Sequence, residues 1–434
     1  MSSQANLATD WRAGYGPIAH RSETIERMQA LVQRLVAQRR IADEASAHAL
    51  LAAADRVACT AMSVVAHMTY ARRIDRSGCP LGSDDFKQTP EGHTGGSLNM
   101  VPAFVGYLLA NALTGTTRGW LMGQGHCVAA IEAVNALTGD VSAAQRGRYD
   151  RSEAGLSRLI ADFYSYAIDK QGRPAVPLGS HAGPNTAGAI SEGGYLGFAG
   201  LQYVHTPLPG ESLVAFLSDG AFEEQRGSDW APRWWRAEDC GFAVPIMILN
   251  GRRIEQRTQI VQEGGAAWLA EDLRHNGFDP VIIDGRDPVA IAWAIVESED
   301  TLSAFAAQSN RRYPVKFPYV IAETEKGFGF PGAATNAAHN LPLDGNPREH
   351  AQAREAFNAG AAALFVPEIE LENALTVLAN HGKNRRSRES EHPMARRHPA
   401  SPHLPVPAWA PTKVSGSAMS SLDRWFVKLA QANP

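Results

Sequence analysis

Residues 213–224 read LVAFLSDGAFEE, an apolar run of strand length that ends in Asp219 and Gly220. Continuous apolar runs of this kind are typical of strands that are buried on both faces of a parallel sheet. Three later runs share this character: 244–250 (VPIMILN), 279–284 (DPVIID) and 318–324 (PYVIAET). Helix-compatible stretches at 265–277 and 287–308 lie between them. This alternation predicts an α/β fold: a doubly wound, mostly parallel sheet with helices on both faces.

The rest of the chain divides into parts of different composition. Apolar residues at three- and four-residue spacing predict an N-terminal helical segment within residues 1–75, which packs on the main domain. We expect the α/β domain itself to extend over 76–381. Residues 382–415 are rich in Arg, Ser and Pro, which is typical of an extended linker. Residues 416–434 predict a single helix.

Composition excludes several classes of protein. The 434 residues are 44% hydrophobic and 20% charged, as in ordinary globular proteins, and a formal net charge of −4 gives no reason to expect a nucleic acid partner. No uninterrupted apolar stretch reaches the roughly 18–20 residues that cross a bilayer, and the N-terminus lacks the pattern of a signal peptide. The four cysteines form no CxxC pair. We therefore expect a cytoplasmic protein without a membrane partner.

Asp219 has two interpretations from the sequence. An aspartate after a strand commonly caps the following helix. Asn250, however, ends the next apolar run, so the two side chains would lie side by side on adjacent parallel strands. Carboxylate and amide oxygens suit Mg²⁺, which usually keeps phosphate oxygens in its coordination shell. Gly220 and Gly251 would allow close approach of the backbone, and a helix that starts here would offer N–H groups to an anion.

Six segments in order along the chain resemble the phosphoketolases, which are relatives of transketolase. They are GHTG at 92–95, GQGH at 123–126, SHAGPNTAGAISEGGYLGF at 180–198, ILNGRRIEQRT at 248–258, TEKGFG at 324–329 and AAHNLPL at 337–343. The combination of SDG at 218–220 with the later ILN also resembles the thiamine diphosphate and magnesium signature of this superfamily. The matches extend over residues 90–343, which makes the resemblance far more specific than a single glycine motif.

This resemblance implies a set of functional residues. Thiamine diphosphate would bind with Mg²⁺ (or Ca²⁺ or Mn²⁺ in its place), and the metal ligands would be Asp219, Asn250 and the backbone carbonyl of Arg252. The cofactor would contact Gly193, Gly194, Tyr195, Ser218, Gly220, Asn250 and either Glu223 or Glu224, of which we select Glu223. The catalytic residues would be His93, His126, His181, His339 and Lys326. Histidines suit the proton transfers of ketose chemistry near neutral pH.

The sequence also departs from the family pattern. Ser218 replaces the usual glycine, and Tyr195 stands where phosphoketolases have an acid near the reacting centre. In the family, a second domain supplies the glutamate that activates the aminopyrimidine ring. We interpret 416–434 as the first helix of that pyrimidine-binding domain, which is otherwise absent from the chain. A homodimer, or a heterotetramer with a chain that carries this domain, is the expected assembly.

Several functions agree with this sequence. The leading one is phosphoketolase-type cleavage of xylulose 5-phosphate or fructose 6-phosphate. A ketose-phosphate 3-epimerase and a subunit of a split transketolase are the alternatives within the same chemistry, and the Tyr195 position keeps the first of them open. A non-catalytic cofactor-binding subunit is an alternative of another class. A nicotinamide-dependent oxidoreductase is disfavoured, because no GxGxxG follows a first strand.

Overall fold

The computed structural model describes residues 11–172, 174–176, 212–225, 235–238, 240–379, 403–405 and 418–433. The chain forms two compact units, residues 1–384 and 385–434. The first unit holds the sheet and the residues of the candidate site.

A five-stranded parallel sheet forms the centre of the first unit. Its strands are β1 (Gly119–Met122), β2 (Ser212–Ser218), β3 (Phe242–Leu249), β4 (Phe278–Asp284) and β5 (Phe317–Glu323). They lie in the order β1-β2-β3-β5-β4, and every pair is parallel. The four predicted strands are confirmed to within a few residues. The edge strand β1 was not predicted, because four residues with two glycine-flanked ends are too short to show a strand pattern.

Helices surround this sheet. In the first unit they are α1 (Ser22–Ala37), α2 (Glu44–Tyr70), α3 (Thr94–Thr114), α4 (Val128–Thr138), α5 (Ala143–Arg146), α6 (Glu153–Asp162), α7 (Asp219–Gln225), α8 (Gln259–Glu263), α9 (Ala266–His275), α10 (Pro288–Ala306), α11 (Ala351–Ala363) and α12 (Glu368–Ala379). The predicted N-terminal helices correspond to α1 and α2, and the predicted helices between the strands correspond to α9 and α10.

The two faces of the sheet pack against different helices. Val214 and Phe216 of β2 belong to a core that they share with α2, α3 and α10. Leu213 and Leu217 face the other way, into a second core with α9 and the buried Trp235. Successive side chains of a strand point to opposite faces, so an apolar run without alternation fills both cores. The predicted doubly wound architecture is confirmed.

Two helices, α2 and α3, are long and apolar enough to cross a membrane by length and composition alone. In each of them 89% of the most apolar window is buried inside the protein. Core helices of globular proteins have this property.

The second unit contains the helix α13 (Ala418–Ala432), as predicted from its sequence. The indole nitrogen of Trp425 donates a hydrogen bond to the carbonyl of Pro405 at 2.9 Å. Leu422, Phe426 and Val427 are exposed on this helix. That it begins a pyrimidine-binding domain stays a prediction.

Candidate functional site

The carboxyl ends of three neighbouring strands, β2, β3 and β5, meet at one edge of the sheet. Ser218 of β2 pairs with Ile248 of β3, and Leu249 of β3 pairs with Glu323 of β5, so Asp219, Asn250 and Thr324 follow their strands at the same level. The edge of a parallel sheet where strands end is the usual place for ligands in α/β folds. The local geometry there decides what this edge can bind.

The Asp219 carboxylate links two of these strand ends. Its Oδ1 accepts a hydrogen bond from the backbone N–H of Gly220 at 2.9 Å, and its Oδ2 accepts one from Gly251 at 2.8 Å. Gly251 follows the neighbouring strand, so the carboxylate does more than cap α7. Only 1% of Asp219 is exposed, and burial raises the pKa of its carboxyl to about 7 because water no longer solvates the charge. A bound cation would offset this cost.

The loop after β3 presents further oxygen atoms. Asn250 accepts a hydrogen bond through Oδ1 from the N–H of Arg252 at 3.1 Å, and Gly251 between them has a φ of +76°, which favours glycine. The Nζ of Lys326 lies 3.2 Å from the carbonyl oxygens of both Arg252 and Arg253. Asp219 thus contacts this loop through the N–H of Gly251, and within the loop Asn250 contacts the N–H of Arg252.

Three histidines from distant parts of the chain form a cluster next to this loop. The ring centroids of His93 and His126 are 5.5 Å apart, those of His93 and His339 5.6 Å, and those of His126 and His339 5.7 Å. His93 precedes α3, while His126 and His339 lie in the one-turn 3₁₀ helices Gly125–Cys127 and Ala337–His339. Because the three histidines are far apart in the sequence, only the fold shows that they are neighbours.

Glycines at the start of α3 permit the cluster to close. A Cβ atom on Gly95 would lie 2.2 Å from the carbonyl oxygen of Ala338, next to His339. A Cβ atom on Gly96 would lie 2.9 Å from Nε2 of His126. Both distances are far below van der Waals contact, so any side chain here would push the histidine segments apart.

Lys326 connects the histidine cluster with the strand ends. Its Nζ lies 2.7 Å from Nδ1 of His339, in addition to the two carbonyl oxygens after β3. An ammonium group has three protons, and all three are directed to acceptors here. Nδ1 of His339 is consequently the acceptor, so the proton of its neutral ring is on Nε2.

Burial keeps the rings of His126 and His339 neutral near pH 7. It lowers the pKa of His126 to about 3, with smaller contributions from His93, His339 and Lys326. Burial, together with the Lys326 charge and His93, lowers the pKa of His339 to about 4. Burial also lowers the pKa of Lys326. Neutral imidazoles that each have one N–H and one acceptor nitrogen can both donate and accept hydrogen bonds.

Glu223 lies at the same edge but is already engaged. Its Oε1 accepts a hydrogen bond from the N–H of Ile260 at 2.5 Å, and its Oε2 lies 3.7 Å from Nε of Arg253. The aliphatic part of Arg253 lies beside Gly220, where an added Cβ would be 3.2 Å from Cγ of Arg253. Glu223 thus orients the side chain of Arg253 along Gly220. The predicted cofactor contact Ser218 is half-buried at the end of β2.

The predicted site residues differ in what the structure says of them. It brings together His93, His126, Asp219, Gly220, Asn250, Arg252, Lys326 and His339. His181, Gly193, Gly194 and Tyr195 lie outside the described residues, as does the side chain of Glu224. Their predicted roles stay predictions.

Two positioning residues were missed from the sequence. Asn99 of α3 donates to Oγ1 of Thr324 at 3.2 Å and to the carbonyl of Glu325 at 2.7 Å, and so fixes the segment before Lys326. The hydroxyl of Tyr164 accepts a hydrogen bond from the backbone N–H of His93 at 3.1 Å. A lone amide within the apolar sequence SLNMVPAF was a usable signal for Asn99, whereas nothing in the sequence around Tyr164 marks it.

The GQGH turn is fixed to β2 and carries one unusual atom. The N–H of Gly123 donates to the carbonyl of Phe216 at 2.8 Å, and Nε2 of Gln124 donates to that of Leu217 at 3.3 Å. Oε1 of Gln124 is buried and has no hydrogen-bond partner within the described part of the chain. A buried acceptor of this kind, two residues before His126, is a position that a donor group of a ligand would satisfy.

Comparison with known proteins identifies the family of this chain. Residues 46–368 match the family model described as the XFP N-terminal domain. The chain belongs to this family, and the predicted resemblance to phosphoketolases is confirmed.

Individual relatives extend well beyond the matched region. The chain is 25% identical over 343 residues to "Probable phosphoketolase 2" of Lactiplantibacillus plantarum, covering 70% of this chain and 41% of that protein. It is 27% identical over 334 residues to "Probable phosphoketolase" of Mycobacterium avium, covering 71% and 40%. The chain thus spans about two fifths of the length of these relatives.

Solved structures with some similarity include transketolases. A transketolase from Pichia stipitis in complex with sedoheptulose 7-phosphate matches with a TM-score of 0.40 and 16% identity, covering 76% of this chain and 45% of that one. A mutant transketolase of the same organism has the same TM-score and identity, with 76% and 46% coverage.

Proposed function

We propose that this chain forms the magnesium- and diphosphate-binding half of a thiamine diphosphate-dependent enzyme that acts on a ketose phosphate. The proposed reaction is phosphoketolase-type cleavage of xylulose 5-phosphate or fructose 6-phosphate. One observation carries the proposal: Lys326 joins the strand ends that bear Asp219 and Asn250 to a cluster of three histidines. Membership in the XFP N-terminal domain family supports it.

The residues at the strand ends fit a divalent metal. Mg²⁺ prefers oxygen ligands, and this edge offers the Asp219 carboxylate, the Asn250 amide oxygen and the Arg252 carbonyl. The buried carboxylate of Asp219, whose pKa is raised by burial, would be stabilised by the metal charge. These three residues would hold Mg²⁺, or Ca²⁺ or Mn²⁺ in its place. When bound, thiamine diphosphate supplies the carbon nucleophile and the electron sink for breaking a carbon–carbon bond.

The histidine cluster would form hydrogen bonds with the oxygen atoms and hydroxyl groups of the ketose. His339 presents an N–H at Nε2, since Lys326 occupies Nδ1, and can donate to an oxygen of the bound sugar. His126 is neutral because of its burial and can accept a hydrogen bond from a sugar hydroxyl. His93 completes the triangle, and its backbone is held by Tyr164. Fixed positions for donors and acceptors lower the barrier without reorganisation of water.

We further propose that a second α/β domain supplies the glutamate that activates the aminopyrimidine ring. Because the matched relatives are more than twice as long as the matched span, such a domain has a place in the family outside the residues of this site. A homodimer, or a heterotetramer with a chain that carries the domain, is the proposed assembly. A reducing cytoplasm is the proposed compartment, in keeping with four cysteines that are all free thiols.

Calorimetric titration tests cofactor binding. The chain is titrated with thiamine diphosphate, with and without Mg²⁺, in parallel with the variants Asp219→Ala and Asp279→Ala. Asp279 is an exposed aspartate of β4 and serves as the control. We expect saturable, Mg²⁺-dependent binding that is lost in Asp219→Ala and unchanged in Asp279→Ala. Binding of thiamine diphosphate that does not depend on Mg²⁺, or that is unchanged in Asp219→Ala, would contradict the proposal.

A second assay identifies the reaction. The chain, combined with the domain that completes the site, is incubated with xylulose 5-phosphate, inorganic phosphate, Mg²⁺ and thiamine diphosphate. Acetyl phosphate supports phosphoketolase cleavage. An epimeric pentulose phosphate without cleavage indicates a 3-epimerase, and products that need an aldose phosphate acceptor indicate a transketolase. Cofactor binding without any turnover would indicate a non-catalytic subunit.

A further inference from the structure

A cleft is lined in part by Tyr164, whose hydroxyl accepts a hydrogen bond from the backbone of His93 in the histidine cluster. Its volume is about 540 Å³, which is within the range of small-molecule sites. Its polar lining includes Arg72, Lys87, Thr89, Ser165 and Arg348. Arg72 follows α2, Lys87 precedes the GHTG turn, and Arg348 precedes α11, so three separate segments bring positive charges to one cleft.

These positive charges are only partly compensated by the protein. Within the described residues the side chain of Arg72 makes no hydrogen bond or ion pair, and it is exposed to the cleft. Arg348 donates to the carbonyl of Phe86 at 3.1 Å and lies 3.7 Å from the exposed carboxylate of Asp84. The cleft has one lining carboxylate, that of Glu91, among residues the structure describes.

The fixed geometry of Lys87 adds to the positive potential. Its Nζ donates to the carbonyls of Met68 at 2.5 Å and of Phe163 at 3.0 Å, which holds the ammonium in place. Burial lowers the pKa of Lys87 to about 8, because the charge has lost part of its hydration. Glu91 is engaged as well, since it accepts a hydrogen bond from the hydroxyl of Tyr166 at 2.8 Å. A ligand that brings negative charge would therefore be favoured.

We propose that this cleft binds a phosphate-bearing small molecule at a site separate from the Asp219 edge of the sheet. The guanidinium groups of Arg72 and Arg348 are the phosphate contacts, and the ammonium group of Lys87 adds a fixed positive charge to the same lining. Guanidinium groups match phosphate oxygens in pairs, and three cations suit the nearly double charge of a phosphate better than the single charge of a carboxylate. The remaining volume, with the hydroxyls of Thr89 and Ser165, accommodates the organic part of a phosphate ester.

The cleft has a direct structural link to the histidine cluster. Lys87 donates to the carbonyl of Phe163, and the next residue, Tyr164, accepts a hydrogen bond from the backbone of His93. The ring of Tyr164 also lines the cleft. A phosphate bound next to Lys87 would therefore lie one residue away from the hydroxyl-bearing Tyr164 that holds the His93 backbone.

Titration of the full chain with two probes, inorganic phosphate and glycerol 3-phosphate, tests the proposal. Titrations are carried out in the Asp219→Ala variant as well as in the unmodified chain, so that binding at the metal edge does not interfere. We expect saturable binding in both, and a loss of affinity of roughly tenfold or more in Arg72→Gln and in Arg348→Gln. Arg12→Gln, which removes an exposed arginine far from the cleft in sequence, is the control and leaves the affinity unchanged.

Different outcomes separate this proposal from the proposed function. Equal affinities for the two probes assign the site to phosphate itself, and tighter binding of glycerol 3-phosphate assigns it to a phosphorylated metabolite. No saturable binding by either probe, or equal binding in Arg72→Gln, overturns the proposal. Binding that disappears in Asp219→Ala also overturns it, because the anion then belongs to the metal edge. Among the described residues the side chain of Arg72 has no hydrogen-bond or ion-pair partner, so circular dichroism should show an unchanged fold in Arg72→Gln.

Discussion

The Nζ atom of Lys326 lies 2.7 Å from Nδ1 of His339, with its other two hydrogen bonds directed to the loop after β3. This contact ties the tautomer of one histidine to the geometry of the strand ends. It also means that the candidate metal edge and the histidine cluster form one connected structure.

Replacement of Lys326 by Met should allow both neutral tautomers of His339 to form. The variant removes the donor to Nδ1, so the ring is expected to populate both neutral tautomers instead of the Nε2–H form alone. Nitrogen-15 NMR of the histidine side chains measures this population. Lys316→Met, which changes an exposed lysine before β5, is the control. An unchanged Nε2–H signal in Lys326→Met would show that the contact does not determine the tautomer.

Gly95→Ala should disrupt the cluster by steric clash. The new methyl group would lie 2.2 Å from the Ala338 carbonyl and 2.9 Å from Cγ of Lys326, so the segment of His339 must move. Overpacking of this kind costs about 1–3 kcal/mol of unfolding free energy. Chemical denaturation measures this loss, and thiamine diphosphate titration shows any effect on the site.

The matched control for this variant is Gly147→Ala. A Cβ atom on Gly147 meets no other atom within 4 Å, and its φ of −78° suits alanine. We expect no loss of stability there. If both variants unfold at the same denaturant concentration, the close contacts of Gly95 do not prevent an alanine at this position.

His20 bridges two buried carboxylates away from the candidate site. Its Nε2 lies 3.0 Å from Oδ2 of Asp55, and its Nδ1 lies 3.0 Å from Oδ2 of Asp287. Burial lowers the pKa of His20, but the hydrogen bonds and charges of Asp287 and Asp55 outweigh this effect and raise the pKa to about 10. A charged imidazolium therefore links the N-terminal segment to α2 and to the start of α10.

The stability of the protein should depend on this histidine in a defined pH range. Because the pKa in the folded state is about 10 and the ordinary value is 6.5, the folded state binds more protons between these values. The stabilisation is complete below pH 6.5 and is lost as the pH rises towards 10. Burial raises the pKa of Asp55 to about 6, so its own contribution changes below this range, between about pH 4 and 6.

His20→Gln is the variant that measures the effect. Removing one partner of a buried ionic network costs about 3–5 kcal/mol, and we expect a loss of this order at pH 6.5. The difference between the two proteins should decrease steadily up to pH 10, as urea denaturation at a series of pH values would show. A difference that is independent of pH would mean that His20 is neutral in the folded protein.

The buried ion pair of Arg118 and Glu299 should contribute far more than a surface pair. Nε and Nη2 of Arg118 each donate to a Glu299 oxygen at 2.6 Å, and only 1% of the arginine side chain is exposed. Arg118→Met leaves a carboxylate without its partner and should cost about 3–5 kcal/mol. Arg34→Met breaks two exposed pairs, with Glu297 and with Asp300, whose side chains are 40% and 43% exposed, and should cost about 0–1 kcal/mol for each pair. Similar losses in urea denaturation would contradict this ranking.

Much of the sheet was predictable from the sequence. The runs that form β2, β3, β4 and β5 are largely apolar because these strands are covered on both faces of the sheet. Burial on both faces requires apolar residues at consecutive positions, so the sequence shows it locally. The positions of Asp219 and Asn250 at strand ends followed from the same runs. The short strand β1 escaped prediction because GWLM contains too few residues to display a pattern.

The sequence by itself therefore determined the α/β fold, the phosphoketolase-like family and the residues with the chemistry of a site. Only the tertiary structure decided how these residues act on one another. The triangle of His93, His126 and His339, the hydrogen bond from Lys326 and the cleft of Arg72, Lys87 and Arg348 join segments that are tens to hundreds of residues apart. Such contacts depend on how helices and strands pack in three dimensions, and packing between distant segments leaves no periodic signal in the chain.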